Sequence, residues 1–154
     1  MPERVVRRML AFVEFADRGD PDVTWAIRLA RQLGAELILF SVIDRPAMVS
    51  LIGTHRAAMA ERGATLTATL VADAKRILQR LVDAAASNGV VARGHAIVSE
   101  EVPEQILKEA IVQQVDLIVI RPSGRQGFLQ HLMRSTVEEI LSAAPCGVLV
   151  AQPK

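Results

Sequence analysis

The chain is poor in cysteine and in aromatic residues: it has one cysteine, one tryptophan, four phenylalanines and no tyrosine among 154 residues. A single cysteine, Cys146, excludes an intramolecular disulfide and favours a reducing compartment. Because 51% of the residues are apolar but 3% are aromatic, aliphatic side chains must fill the interior. That composition favours helices packed on a buried sheet over an aromatic-rich barrel. An apolar run follows Cys146, so we expect it to be a small core residue.

An excess of charge of one sign is also missing. The 18 basic and 17 acidic residues leave a formal net charge of +1, which provides no long-range field for a polyphosphate backbone, so nucleic acid is not an expected partner. No run approaches the roughly 20 apolar residues of a membrane span, and Met-Pro-Glu-Arg at the start lacks a signal-peptide core. We expect a cytoplasmic protein without membrane contact, and the length suits one domain over residues 1–154.

Five short apolar runs predict five buried strands. They cover residues 9–13, 37–43, 90–98, 117–120 and 147–150. Helical patterns separate the runs, and strands that alternate with helices pair in parallel through right-handed crossovers. The sequence therefore predicts an α/β fold with an open doubly wound sheet, helices on both faces and strand order 3-2-1-4-5. In that order, ligand-sized space opens beyond the carboxyl ends of the first and fourth strands, which carry Glu14 and Arg121.

Capping signals place the first and last helices. Asp20-Pro21-Asp22 provides a cap, a proline for the first helical position and an acidic first turn, and Gly34 ends that helix. Ser135 and Glu138 have the spacing of a capping box, which predicts that the last helix begins just after Ser135.

The middle of the chain predicts one long helix and one shorter helix. Apolar residues at helical spacing run from Thr67 to the Asn88-Gly89 pair, which stands in the C-capping place. The next helix begins near Pro103. Residues 45–66 are less regular because two glycines interrupt the pattern, and they predict a loop with a short helix.

The loop after the fourth strand contains a signal for anion binding. The segment Arg121-Pro122-Ser123-Gly124-Arg125-Gln126-Gly127 is rich in turn residues and leads to the helix at Ser135. Successive backbone N–H groups and a helix N-terminus can bind phosphate, and glycines permit its close approach. An ordinary connecting loop would have the same composition, so this pattern alone leaves both interpretations open.

Three segments share residues with one known family. They are Leu29-Ala30-x3-Gly34-Ala35-Glu36-Leu37, Asp116-Leu117-Ile118-Val119-Ile120 and Ala144-Pro145-Cys146-Gly147-Val148-Leu149-Val150. With the order of the elements, they make almost the whole chain resemble the universal stress proteins. The resemblance implies an adenine nucleotide alpha hydrolase-like fold and a regulatory or binding role in the stress response. It also implies a homodimer formed through the last strand by Val148 and Val150, and interaction with a further protein partner.

The ATP-binding members of that family have the signature G-x2-G-x9-G-[ST] after the fourth strand, and this chain keeps half of it. Gly124 and Ser135 match the second glycine and the hydroxyl position, whereas Arg121 and Arg134 stand at the other two glycine positions. An arginine there puts a long side chain where a glycine would let the triphosphate touch the backbone. The departure implies a degenerate site.

Three further positions bear on nucleotide binding through the same resemblance. Glu14 stands where the family's nucleotide-binding aspartate is usual, and Glu101 replaces a family glycine just before the third helix. Val42 matches the second-strand position that faces adenine, although a buried valine needs no ligand to explain it. Glu101 adds a negative charge near the crevice, and Arg121 could pair with Glu14 or with Glu101 and fill the pocket.

Two hypotheses about function follow. The first is a non-catalytic module that binds ATP weakly or not at all and needs no cofactor. The alternative is an adenine-nucleotide-binding protein, such as a slow ATPase with ATP and magnesium, in which Arg121, Arg125 and Arg134 replace the lost backbone donors. The sequence has no P-loop, serine-hydrolase or dinucleotide motif, and its three histidines lack metal-ligand spacing, so we expect neither an enzyme nor a metal site.

Overall fold

The computed structural model describes residues 3, 5–15, 21–44, 56–121 and 134–151. Five strands and four helices alternate in this part of the chain. In order, they are β1 (Arg8–Phe12), α1 (Thr24–Leu33), β2 (Glu36–Asp44), α2 (Arg56–Ser87), β3 (Ala92–Ser99), α3 (Val102–Val112), β4 (Leu117–Ile120), α4 (Arg134–Ala143) and β5 (Gly147–Val150).

The five strands form one parallel sheet in the order β3-β2-β1-β4-β5. In the central strand, Leu10 lies opposite Ile38 of β2 on one side and Ile118 of β4 on the other. The predicted α/β fold and strand order are confirmed. The chain continues from β1 to β2 on one side, whereas β4 lies on the other side of β1. The carboxyl ends of β1 and β4 therefore flank the topological switch point.

Helices cover both faces of the sheet, which is why β1, β2 and β4 are apolar along most of their length. Successive strand residues point to opposite faces, so β1, β2, β3 and β4 contribute to two cores, whereas β5 contributes Val148 to one of them. The core under α1 and α2 includes Met9, Ala11, Leu37, Leu39 and Val119 with Ala26, Ala30, Ala74 and Leu78. The core under α3 and α4 includes Leu10, Phe12, Ile38, Phe40 and Ile118 with Ile106 and Ile140.

The first helix starts later than its sequence signals predict. It begins at Thr24, so Pro21 precedes the helix and is not its first residue; Asp20 lies outside the described residues. Asp22 still acts at this end, because its Oδ1 accepts a hydrogen bond from the Thr24 N–H at 3.0 Å. At the other end the prediction is confirmed: Gly34 has φ 65° and its N–H bonds to the last carbonyls of the helix.

The long helix begins earlier than predicted, at Arg56 and not at Thr67. The prediction of a loop with a short helix is therefore wrong for residues 56–66, whereas residues 45–55 lie outside the described residues. A glycine inside a helix costs about 1 kcal/mol relative to alanine, and Gly63 lies inside a continuous helix of 32 residues. That penalty is too small to end a helix that propagates cooperatively from both sides.

The turn after α2 ends the helix at the predicted place. Gly89 has φ 76°, and the next N–H, that of Val90, donates to the Ala85 carbonyl at 3.0 Å. Val90 is thus part of the capping turn, which is why β3 begins at Ala92 and not at Val90. The last helix begins earlier than the predicted capping box requires. Its first residue is Arg134, so Ser135 lies within the first turn and not before it.

The thiol of Cys146 is half-buried and packs against the core under α3 and α4. Burial raises the pKa of this thiol, which keeps it protonated and weakly nucleophilic at neutral pH.

None of the helices in the described ranges combines the length and the apolarity that crossing a bilayer requires.

Candidate functional site

The carboxyl ends of β1 and β4 bring two of the predicted site residues to one edge of the sheet. Sheet hydrogen bonding continues past β1, where the Val13 N–H donates to the Phe40 carbonyl at 2.8 Å. Glu14 follows directly. Arg121 is the first residue after β4, and the register that pairs Ala11 with Val119 brings both segments to the same edge. The predicted location of these two residues at the switch point agrees with the topology.

The two residues belong to different faces of that edge. Val13 and Phe15 both pack against the core under α1 and α2, so strand alternation assigns Glu14, between them, to the face of α3 and α4. The Arg121 guanidinium carbon lies 5.7 Å from the ring centroid of Trp25, and Trp25 packs against the core under α1 and α2. The pairing of Arg121 with Glu14 stays a prediction.

Trp25 is the neighbour of Arg121 that the sequence did not indicate. It lies in the first turn of α1, and its indole N–H donates to the Asp22 carbonyl at 3.1 Å. This bond fixes the orientation of the ring at the helix start. The guanidinium lies within the distance of about 6 Å at which a cation is attracted to an indole face. No local pattern in the sequence links these residues, because their contact depends on the packing of α1 beside β4.

A group of carboxylates surrounds the N-terminus of α3. Glu101 occupies the N-cap position and Glu104 lies in the first turn. The pKa of Glu101 is raised above its ordinary value of 4.5, chiefly by a hydrogen bond with the Glu104 side chain and by the charge of Glu104, and further by the charges of Glu100 and Glu139. Glu139 belongs to α4, so charge from a second helix also acts on Glu101.

This acidic group bears on the second predicted partner of Arg121. A guanidinium beside Glu101 would lower the pKa of that carboxyl group, whereas the shift is upward and its electrostatic causes are other carboxylates. The hypothesis that Arg121 pairs with Glu101 therefore finds no support in the electrostatics.

The remaining nucleotide-site predictions fall in three places. Val42 is buried and packs in the core under α3 and α4, as a strand valine does without any ligand. Ser135 is exposed in the first turn of α4, and Arg134 begins that helix. Gly124 and Arg125 lie outside the described residues, so the geometry of the predicted phosphate loop stays a prediction.

The last strand, β5, forms one end of the described sheet and pairs there with β4. The two predicted interface residues differ in exposure, since Val148 packs partly against the core under α3 and α4 whereas Val150 is 41% exposed. Leu149, which was not singled out from the sequence, is 42% exposed. Alternation along the strand could have identified it, because Leu149 points to the face opposite Val148.

The histidine that the structure describes has a structural setting. His95 Nδ1 lies 3.0 Å from Oε1 of Glu109, and the Gln113 side-chain amide donates to the same oxygen at 3.1 Å. His55 and His131 lie outside the described residues. Within the described ranges, no group of three histidine, cysteine or carboxylate side chains could hold a metal ion.

A five-stranded parallel sheet with helices on both faces and a switch point between β1 and β4 defines a doubly wound α/β protein. The model of the universal stress protein family matches residues 6–152, and the chain belongs to that family. No curated protein sequence matches the chain.

Solved structures of similar fold include members of this family. One is the universal stress protein UspA from Lactobacillus plantarum, with a TM-score of 0.69 and 20% identity over 94% of this chain and 97% of that chain. A universal stress protein from Archaeoglobus fulgidus in complex with dAMP has a TM-score of 0.55 and 19% identity over 95% and 98%. A family protein from Arabidopsis thaliana with AMP bound has a TM-score of 0.61 and 13% identity over 96% and 92%. At these identities the likeness concerns the fold.

Proposed function

We propose that this protein is a non-catalytic regulatory module of the stress response, acting in the cytoplasm, that binds ATP weakly or not at all. The observation that carries the proposal is the acidic start of α3, where Glu101 is the N-cap residue and Glu104 lies in the first turn. A hydrogen bond with Glu104 and the charges of Glu104, Glu100 and Glu139 raise the pKa of Glu101 there. A helix N-terminus attracts anions through its free N–H groups and its dipole. Here the negative charges of the neighbouring carboxylates repel the phosphates of a nucleotide.

The described residues fit a triphosphate poorly for two further reasons. Arg121 replaces a signature glycine, and its guanidinium lies against Trp25 on the α1 side, whereas the acidic group lies on the side of α3 and α4. Arg121 is not among the charges that shift the pKa of Glu101. Val42, at the predicted adenine position, is engaged in core packing.

The alternative is adenine-nucleotide binding with magnesium, and it rests on the structures of similar fold that contain AMP and dAMP. In this alternative Arg121, Arg125 and Arg134 bind the phosphates through charge-assisted hydrogen bonds in place of backbone N–H groups. Glu14, at the end of β1, is the carboxylate that would hold magnesium, and hydrolysis would be slow because the sequence provides no clear catalytic base.

Calorimetric titration of the purified protein with ATP and magnesium tests these hypotheses, after a check that no nucleotide copurifies. The proposal predicts no binding, or binding no tighter than millimolar. In that case Arg121→Gly should strengthen binding, because the glycine lets phosphate approach the backbone. Micromolar binding that Arg121→Gly abolishes would instead establish the arginine alternative. Nucleotide turnover that Glu14→Gln abolishes would overturn the non-catalytic part of the proposal.

We further propose that the protein forms a homodimer through β5 and acts on a protein partner. Leu149 and Val150 are both more than 40% exposed on a strand at the end of the described sheet. Such a strand presents apolar side chains together with backbone groups that can pair with a second copy. Pairing of two copies around a two-fold axis would satisfy these backbone groups and bring Val150 of both copies to the same interface.

A further inference from the structure

Arg121 and Trp25 meet at the crevice although they come from distant parts of the chain. The guanidinium carbon lies 5.7 Å from the centroid of the indole ring, and both side chains are half-buried. Partial burial strengthens an attraction between a cation and an aromatic face, because water competes less for the charge.

Contacts with α1 and with the core fix the orientation of the Trp25 ring. Its indole N–H bonds to the Asp22 carbonyl, and Asp22 in turn accepts the N–H of Thr24 at the start of α1. The ring also packs against the core under α1 and α2. The hydrogen bond of the indole N–H and the packing of the ring therefore fix Trp25 independently of the guanidinium.

We propose that Trp25 is a positioning residue for Arg121. It holds the guanidinium on the α1 side of the crevice and so limits the contact of Arg121 with an anion bound at the carboxyl ends of β1 and β4. This inference deepens the proposed function, since it explains why an arginine at a signature position does not compensate for the lost glycine. Trp25 then sets how strongly the crevice binds a phosphate-bearing ligand.

The position of the guanidinium can be tested by its reactivity toward phenylglyoxal, which modifies arginine side chains. Peptide mass spectrometry gives the modification rate of Arg121 relative to Arg31, an exposed arginine in the last turn of α1 that serves as an internal control. A contact of this kind is worth a factor of about two to five in equilibrium constant at a partly exposed site. In Trp25→Leu the ratio of the Arg121 rate to the Arg31 rate should rise by that factor.

Trp25→Phe keeps an aromatic ring in the core and loses the indole N–H bond, so it should raise the ratio less than Trp25→Leu does. An unchanged ratio in both variants would overturn the proposal. An equal rise at Arg121 and Arg31 would also overturn it, because general loosening of the fold affects both arginines.

Protection by a ligand separates a positioning role from a structural one. Millimolar ATP with magnesium should protect Arg121 from phenylglyoxal more strongly in Trp25→Leu than in the wild type, because the released guanidinium can reach the phosphates. Equal protection in the two proteins would contradict the positioning role. The proposed function is tested separately, by calorimetry on the wild-type protein. Tight ATP binding there would contradict the proposed function without bearing on the role of Trp25.

The indole itself gives a second measurement on the unlabelled protein. Because the chain has one tryptophan and no tyrosine, its indole fluorescence comes from Trp25 alone. Arg121→Ala should uncover the ring face, shift the emission to longer wavelength and increase quenching by acrylamide. Arg31→Ala, the matched control, should leave both unchanged. Identical spectra for Arg121→Ala and the wild type would show that the guanidinium does not cover the ring.

Discussion

Gly94 lies where the long helix α2 packs on β3, and adding one methyl group there should destabilise the protein. A Cβ at this position would lie 2.9 Å from the Cβ of Leu78 and 3.6 Å from Cγ2 of Val82. The Leu78 Cβ is fixed to the helix backbone, so the contact can be relieved only by moving α2 away from β3. Extra methyl groups in a packed core cost about 1–3 kcal/mol.

Part of that cost is offset in the unfolded chain. Replacing glycine with alanine reduces the entropy of the unfolded state, which stabilises a protein by about 0.4–1 kcal/mol. Gly94→Ala should therefore lower the free energy of unfolding by a net amount of about 1.3 kcal/mol, within a range of about 0–2.6 kcal/mol. For a chain of this size, each kcal/mol corresponds to about 2–4 °C in Tm. Urea denaturation followed by circular dichroism, at one protein concentration, measures the change.

Gly147 provides the matched control, since it is also a strand glycine. A Cβ there would meet Leu117 Cδ1 at 3.6 Å and the Asp116 carbonyl at 3.8 Å, which are ordinary contacts. Gly147→Ala should leave the stability unchanged or raise it by up to about 1 kcal/mol. If Gly94→Ala were as stable as Gly147→Ala, the close approach of α2 to β3 would not be a packing constraint.

Two further predictions concern the acidic group and the last strand. Because folding raises the pKa of Glu101, the folded state holds this proton more tightly, and the wild-type stability should fall as the pH rises through the folded pKa. Glu101→Gln should therefore be more stable than the wild type at pH 7, and this difference should disappear below the ordinary pKa of 4.5; urea titrations giving the same difference at both pH values would contradict this. Val150→Asp should convert a dimer to a monomer in analytical sedimentation, whereas Val91→Asp, at a valine that is 68% exposed away from β5, should not; an unchanged mass for Val150→Asp would exclude this interface.

The fold could be predicted because its signals are local and repeat along the chain. Apolar runs identify buried strands, and the left-handed conformations of Gly34 and Gly89 have a direct sequence signal in glycine. The start of α2 could not be predicted, because Gly63 is a weak breaker whose effect depends on the stability of the helix on both sides. The N-cap of α4 was misplaced because Ser135 and Glu138 satisfy the capping pattern within a helix that has already begun.

The candidate site could be predicted only in part. Topology alone brought Glu14 and Arg121 to one edge, since the carboxyl ends of neighbouring parallel strands meet there. The side of that edge on which each side chain lies depends on packing. The contact of Trp25 with Arg121 and the electrostatic influence of Glu139 on Glu101 both link residues that are distant in the sequence. No periodicity in the sequence reports such contacts.

The central position of β1 has a consequence for how the chain folds during synthesis. Met9 pairs with Leu37 in β2 and with Leu117 in β4, so one side of β1 finds its partner early and the other side waits for most of the chain. Closing so long a loop is entropically costly, and such non-local strand pairing is slow. A nascent chain that ends before Leu117 therefore presents β1 as a temporary sheet edge that can pair wrongly with another chain. Shielding of that edge on the ribosome, by a chaperone or by rapid completion of the chain, becomes a requirement of this strand order.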